Sequence, residues 1–407
     1  MQLVLKIFFS VWLLSLPFYL YSLVGTLSLD NVLAPVVLTM LLFRLFFIKG
    51  NLQRWKLWTI ILYGLLFAAY ASGRLVSVIE NPEYFSYTGM LVLKQFLYLL
   101  IPILYINSKQ DFVHTSRLIV IVAVVGIFST LFSSFGLLEF PVARYAESRI
   151  GISSLRKAVG LFPNYGDMAM LGSYAILFMF IGDQQGKDVP RQLLKFAATL
   201  LMLGGYVGAQ SRNMYLTLIC GILFVIYLRL TLNRGTGLNV AFGTLVVIGC
   251  IAAVAILSFL EISTIESFKG FGGTKESAAT VDARLQQYTL AWNIFIEKPI
   301  FGHGCSVLDA SMEIHNIWLG LMALGGVIST MAVALMFLVP FFKLLTKPFS
   351  AEERQLRIFG LAQLICVFTA AEFYGAMTYV FLVIMSALSI LPSILLSKDA
   401  GRNSAQA

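Results

Sequence analysis

Apolar residues fill most of the chain in long runs separated by short polar stretches. A run of about twenty apolar residues is long enough to cross the hydrocarbon of a bilayer as a helix. On that basis the pattern predicts spans at 3–24, 29–48, 56–73, 86–106, 117–138, 166–182, 192–210, 212–232, 238–260, 315–341, 357–376 and 377–396, about twelve in all. The longest polar interruption, 261–314, separates the ninth run from the tenth. Inside it, in the stretch VDARLQQYTLAWNIFIEKPIFGHG, Leu285, Tyr288, Trp292 and Phe295 recur at helical spacing, while Arg284, Gln287 and Ala291 fall on another face. Pro299 and Gly302 then stop the turn. This predicts an amphipathic helix over 282–297 lying on a bilayer surface. Asp282 would cap its first turn, which puts Arg284 beside free backbone N–H groups and the positive dipole end, a setting that suits a phosphate.

Composition agrees with the pattern. With 59% hydrophobic and 12% charged residues and a mean hydropathy of +0.86 over 407 residues, a soluble globular chain is excluded. The expected fold is an all-α polytopic membrane protein, a single transmembrane domain over 1–407 with the 261–314 loop inside it. The first run starts almost at Met1, carries Lys6 and lacks a small-residue cleavage site, so it reads as a retained span. Of the four cysteines, Cys220, Cys250 and Cys366 fall in apolar runs and Cys305 in a loop, which suggests neither a disulfide framework nor a zinc site.

The net charge of +9 acquires meaning once it is sorted by side. With the N-terminus inside, Lys6, Arg44, Lys109, Arg117, Lys195, Lys343, Arg357 and most other basic residues flank the inner ends of spans, so both termini face the cytoplasm. The outer exceptions cluster. Arg144, Arg149, Arg156 and Lys157 lie between spans five and six, and Lys269, Lys275, Arg284 and Lys298 in the long loop. Either these loops bind something anionic, or Glu147, Glu266, Glu276, Asp282 and Glu297 balance them as a solvated face. A basic, aromatic-interleaved domain for nucleic acid is absent from the sequence.

The candidate chemistry sits at this outer boundary. Arg212, in GAQSRNMYLTL, follows a very tight turn between two spans, with Ser211 available as a cap; it either snorkels to lipid headgroups or binds a phosphate with Arg284. His315 opens the tenth span, next to Asn316. Beside two arginines its protonated form is disfavoured, which would leave a neutral imidazole as a base near neutral pH; the alternative is a structural interfacial histidine. His303, Cys305, Asp309, Glu313 and His315 have no metal-ligand spacing with a mechanism behind it, so no metal is expected. Asn164, Tyr165 and Asp167 open the sixth span at the same level and could orient a sugar or, for Asp167, cap the helix. Lys94 lies inside the fourth run, where an ammonium needs a partner or a task. It either faces the site from below or pairs with a carboxylate such as Glu372.

Three stretches resemble the O-antigen ligase and Wzy-type O-antigen polymerase superfamily of bacterial inner membranes: GLFPNYGDMAMLGSYAI, GAQSRNMYLTL, and ARLQQYTLAWNIFIEKPIFGHG continuing to HNIWLGLMALGGVIST. Gly325 and Gly326 match the glycine-rich ending after the HN pair, and Ser329 departs from it. The first third and the C-terminal end match in hydropathy and span count alone. The resemblance implies a GT-C-like architecture and glycosyl transfer at the periplasmic face from an undecaprenyl-diphosphate-linked glycan, without metal, cofactor or nucleotide sugar. Arg212 and Arg284 would hold the diphosphate and His315 would activate the acceptor hydroxyl. Substrate-binding roles would extend to Arg144, Arg149, Arg156, Lys157, Asn164 and Lys94. A ligase, with lipid A–core as acceptor, is favoured slightly over a polymerase, whose acceptor is a second lipid-linked glycan. A lipid-linked oligosaccharide flippase or other transporter is the reading from a different class, and it predicts repeats and broken helices near the midplane.

Overall fold

A chain segment surrounded by lipid has no water to satisfy its backbone, so the apolar runs close their own hydrogen bonds as helices. The computed structural model describes residues 2–18, 22–24, 27–45, 54–80, 82, 85–139, 158, 160–162, 165–183, 189–209, 212–231, 275–304, 316–346, 353–372, 384 and 386–395. Its helices are α1 (Gln2–Ser15), α2 (Leu29–Phe43), α3 (Arg54–Glu80), α4 (Phe85–Tyr105), α5 (Lys109–Ser134), α6 (Tyr165–Leu177, carried on to Gly182 by a π-helical turn), α7 (Val189–Ala209), α8 (Arg212–Thr231), α9 (Lys275–Glu297), α10 (Ile317–Thr346), α11 (Arg354–Glu372) and α12 (Ser386–Leu395). Among the described residues, Lys109–Ser134, Tyr165–Gly182, Val189–Ala209 and Ile317–Thr346 are long and apolar enough to cross a membrane by themselves. Others, such as Leu29–Phe43 and Met214–Arg229, are apolar but shorter. The chain is a largely helical, multi-pass membrane protein. The span expected at 238–260 lies outside the described residues, as does the start of the one at 377–396.

Two expectations are corrected. The run at 3–24 does not make one helix: α1 ends at Ser15 and a 3-10 turn follows at Leu16–Phe18. Pro17 supplies the reason, since its ring removes a donor and pushes the preceding residue out of the helical region. The chain then forms a short antiparallel hairpin, β1 (Ser22–Val24) with β2 (Leu27–Ser28). The helix expected from Asp282 begins at Lys275 instead. The stretch KESAATVDA holds no Pro or Gly, and its alanines, lysine and glutamate are strong helix formers, so nothing stops the helix from extending back. Arg284 is therefore well inside α9, away from the free N–H groups of its first turn.

α6 is the centre of the described fold. Every residue from Gly166 to Leu177 is buried, so this helix has no polar face to offer water. It runs antiparallel to α5: Thr130 lies by Met168, Ser116 Oγ is 2.7 Å from Tyr174 Oη, and Phe112 meets Phe178 edge-on. Gly172 accommodates the Tyr206 hydroxyl of α7, a place that a Cβ would fill. On another side α6 packs on α8 and α11. At one boundary the start of α5, the end of α6 and the start of α7 share a carboxylate: Asp183 takes Arg117 at 3.0 Å and Lys195 at 3.6 Å. The charge pattern put Arg117 and Lys195 on the same side of the membrane, and the structure brings both to one residue.

α3 and α10 are antiparallel partners. The Tyr63 hydroxyl donates to the Met336 carbonyl at 3.4 Å near one end, and the Ser329 hydroxyl to the Tyr70 carbonyl at 2.9 Å toward the other. Between them Gly73 lies against Gly325 so closely that a Cβ there would run into the Gly325 Cα. Small residues at this crossing let two backbones approach, which is how membrane helices gain packing without a hydrophobic driving force.

Candidate functional site

The EKPIFGHG and LGG stretches meet through their backbones. α10 is interrupted at Gly326, whose φ is 63° and ψ −165°. In an unbroken helix the Val327 N–H would donate to the Ala323 carbonyl. Here Val327 N–H donates to the Pro299 carbonyl at 2.8 Å, and the Ala323 carbonyl accepts from His303 N–H at 3.1 Å. The turn after α9 thus supplies one acceptor and one donor in place of the bond that the break removes. A further bond runs from Ile328 N–H to the Ile300 carbonyl at 3.3 Å. Orphaned backbone groups away from water cost several kcal/mol each, of order 2–7, so the break is tolerable because the turn fills it.

Two glycines make the approach possible. Gly302 has φ 70°, and a Cβ on it would strike the Leu324–Gly325 peptide; a Cβ on Gly326 would strike the Ile300 carbonyl. Both positions also demand a left-handed backbone, which glycine adopts without penalty. This explains why the two glycine-bearing motifs occur together. Ser329, the departure from the family pattern, uses its hydroxyl to bind α3 through Tyr70.

Asn316 begins the next element. Its side-chain oxygen accepts from Leu319 N–H at 2.9 Å and its carbonyl from Gly320 N–H at 2.9 Å, so it is the N-cap of α10. The sequence signal for this cap is an asparagine just before an apolar run, and a role is assigned from sequence to the neighbouring His315 and none to Asn316. His315 itself lies outside the described residues.

α9 carries three faces. Ala291 and Ile294 are buried against Ala323 and Leu319 of α10, on the side that also holds Gln287. Ala291, which the sequence placed away from the Leu285, Tyr288, Trp292 and Phe295 stripe, thus lies on the side that docks on protein. Next to it Trp292 and Ile296 are 47% and 57% exposed, and Ile300 and Phe301 continue the apolar surface into the turn. Gln286, Asn293 and Glu297 are exposed on the remaining side. An exposed apolar side next to an exposed polar one, beside a side docked on protein, matches the pattern of a helix at a membrane boundary.

The other sequence-derived candidates are placed as follows. Arg212 is the first residue of α8, separated from the end of α7 at Ala209 by two residues, and Arg284 is inside α9; both side chains lie outside the described residues. Arg144, Arg149, Arg156, Lys157 and Asn164 also lie outside them. Asp167 is in the first turn of α6 and fully buried, where a carboxylate faces the positive end of the helix dipole. His303 Nε2 is 3.5 Å from Glu297 Oε2. Cys220 and Cys366 are free thiols.

Lys94 pairs with a carboxylate, that of Asp30 of α2 at 3.3 Å; the side chain of Glu372, named as an example of such a partner, lies outside the described residues. Tyr98 donates to the same Asp30 oxygen, and its ring lies 5.4 Å from the Lys94 ammonium. Gln95, one position on, accepts from the Tyr70 hydroxyl at 3.0 Å. Tyr70 is the residue whose carbonyl receives Ser329, so a chain of polar contacts leads from Gln95 in α4 through α3 to α10.

In a comparison with known families, the O-antigen ligase family model matches residues 197–334 of this chain. The matched segment begins in α7 and ends in α10, and it encloses Arg212, Arg284, the turn after α9, His315 and the break at Gly326. No match was found among curated proteins. For this part of the chain the match points to the O-antigen ligase and polymerase superfamily.

Proposed function

We propose that the protein is a glycosyltransferase of the O-antigen ligase type, acting at the periplasmic face of a bacterial inner membrane with both termini in the cytoplasm. The donor is a glycan on undecaprenyl diphosphate, and the acceptor a sugar hydroxyl of lipid A–core. The observation that carries this reading is the family match over 197–334, which encloses both arginines and the histidine that the sequence singled out. The junction between the turn after α9 and the break in α10 supports it, because it ties the helix bearing Arg284 to the helix that His315 leads into.

In this reading the anomeric C–O bond to the diphosphate breaks as the acceptor oxygen forms the new glycosidic bond from the opposite face, inverting the centre. Arg212 and Arg284 bind the diphosphate and stabilise the charge that grows on it. Neutral His315 takes the proton from the acceptor hydroxyl. Undecaprenyl diphosphate is the leaving group and stays in the bilayer. The arginines meet the need for positive charge that a divalent cation meets in other phosphate chemistry.

The test supplies purified protein with the lipid-linked glycan, with lipid A–core, and with both, and resolves products by gel and mass spectrometry. Glycan joined to lipid A–core is the expected product. A ladder built on the donor alone would assign the polymerase reaction instead. No product, where a known transferase works, would favour transport. His315→Ala should abolish transfer with normal expression, and each arginine to alanine should lower the rate by roughly 10²–10³-fold, the size seen when one group stabilising developing charge is removed.

A further inference from the structure

The break at Gly326 divides α10 into two parts with different attachments. Residues 317–325 carry α9, docked on Leu319 and Ala323, and Asn316, preceded by His315, caps them. The part beyond Gly326 goes with α8 and α3: Phe224 of α8 stacks on Phe341 with ring centroids 6.4 Å apart, and Tyr63 of α3 bonds the Met336 carbonyl. An unbroken helix fixes the relation between two such parts through its own hydrogen bonds. Here Val327 N–H donates to the turn and not to Ala323, so the angle between the parts depends on what packs against the break.

Ser329 stands where α3 meets that break. A helical serine or threonine ordinarily turns its hydroxyl back to the carbonyl four residues earlier, as Thr330 does with Gly326 at 2.8 Å. Ser329 instead donates across to the Tyr70 carbonyl of α3 at 2.9 Å. Its oxygen occupies space that a Cβ on Gly73 of α3 or on Gly325 would fill, so it is wedged between α3 and the last residue before the break. One fully buried hydroxyl therefore joins both parts of α10 to α3. Tyr70 is braced in turn, since its own hydroxyl donates to Gln95 of α4 at 3.0 Å.

We propose that Ser329 is a positioning residue for glycosyl transfer, acting by clamping the break in α10 to α3. The proposal rests on the transferase reading. In that reading Arg284, inside α9, and His315, ahead of α10, go with residues 317–325, whereas Arg212 begins α8, which goes with the other part. The angle at Gly326 then sets how the segments that bear the base and one arginine stand against the segment that bears the second arginine. It also gives α3, which lies outside the matched segment 197–334, a part in the reaction.

The experiment compares the full chain with Ser329→Ala, which removes the hydroxyl and adds no atom. Turnover with lipid-linked glycan and lipid A–core should show kcat lowered roughly ten- to hundred-fold, the cost of displacing reacting groups by about 1 Å. KM for the acceptor and Tm should stay close to the parent, because the better helix propensity of alanine largely offsets one lost hydrogen bond. Spin labels at Asn293→Cys of α9 and Ile219→Cys of α8, both exposed, in a background without the native cysteines, read the separation of the two segments by pulsed electron resonance. Their distance distribution should shift or widen in Ser329→Ala. An unchanged kcat, or a lowered kcat with an unchanged distance distribution, would overturn the proposal and leave the transferase reading standing. A parent chain that forms no product would overturn that reading, and the proposal with it.

Discussion

Lys94 of α4 and Asp30 of α2 form an ion pair at 3.3 Å within apolar helices, with the Asp30 side chain fully buried and that of Lys94 25% exposed. Desolvating two charges is costly, and here the charges offset one another with help from the Tyr98 hydroxyl on the same oxygen. Removing Lys94 leaves the buried Asp30 carboxylate without its counter-charge, with the Tyr98 hydroxyl still on it. Lys94→Met should therefore destabilise the protein by roughly 3–5 kcal/mol, read as a lowered Tm in detergent. The double variant Lys94→Met with Asp30→Asn should recover most of the loss. A single variant as stable as the parent would remove the pair from any account of how α2 and α4 are held.

The junction at Gly326 makes a second prediction. Gly326→Ala and Gly302→Ala each force a side chain into backbone and hold a left-handed conformation, at least ~1–3 kcal/mol from conformation alone. Exchange of the Val327 and His303 amides should quicken in both variants, because these bonds close the break. Gly64→Ala is the control: nothing lies within 4 Å of a Cβ there, and alanine in a helix should stabilise by about 0.5–1 kcal/mol. Slow exchange persisting in Gly326→Ala would mean that the turn and the helix do not depend on one another.

Asn316→Ala removes the cap of α10 and should cost about 1 kcal/mol, whereas Asn316→Asp and Asn316→Ser should stay close to the parent. Thermal unfolding of the three variants decides it. Equal losses in all three would show that the amide has a role other than accepting from Leu319.

Hydropathy revealed the helices best where an apolar run ends in a strong local signal. The runs at 166–182 and 212–232 became Tyr165–Gly182 and Arg212–Thr231, each set off by a polar turn. It failed where one residue overrides a continuous run, as Pro17 does, and where helix-forming residues extend an element past its expected cap, as ahead of Asp282. The contacts that join distant segments were hidden for a different reason. The bonds from Val327 to Pro299 and from His303 to Ala323 are made by backbone groups that every residue possesses, so no side-chain pattern announces them. The glycines at 302 and 326 were visible, but their pairing was not. Likewise the cost of Lys94 was legible as the need for a partner, while the choice of Asp30 depends on how α2 packs against α4.

The faces of α9 give the last prediction. Ala291 and Ile294 dock on α10, which leaves Trp292 and Ile296 on one exposed side and Asn293 on another. An aromatic and an aliphatic side chain exposed next to a membrane helix gain by entering the acyl boundary, where roughly 25 cal/mol is recovered per Å² of apolar surface removed from water. Spin labels placed singly at Ile296→Cys and Asn293→Cys, in a background without the native cysteines and in liposomes, should report this directly. The label at 296 should collide more with oxygen, which partitions into lipid, and the one at 293 more with a water-soluble nickel chelate. Equal collision with the chelate at both positions would place α9 clear of the bilayer. The helix would then be attached through α10 and the turn alone, and the apolar side at Trp292 would need a different partner.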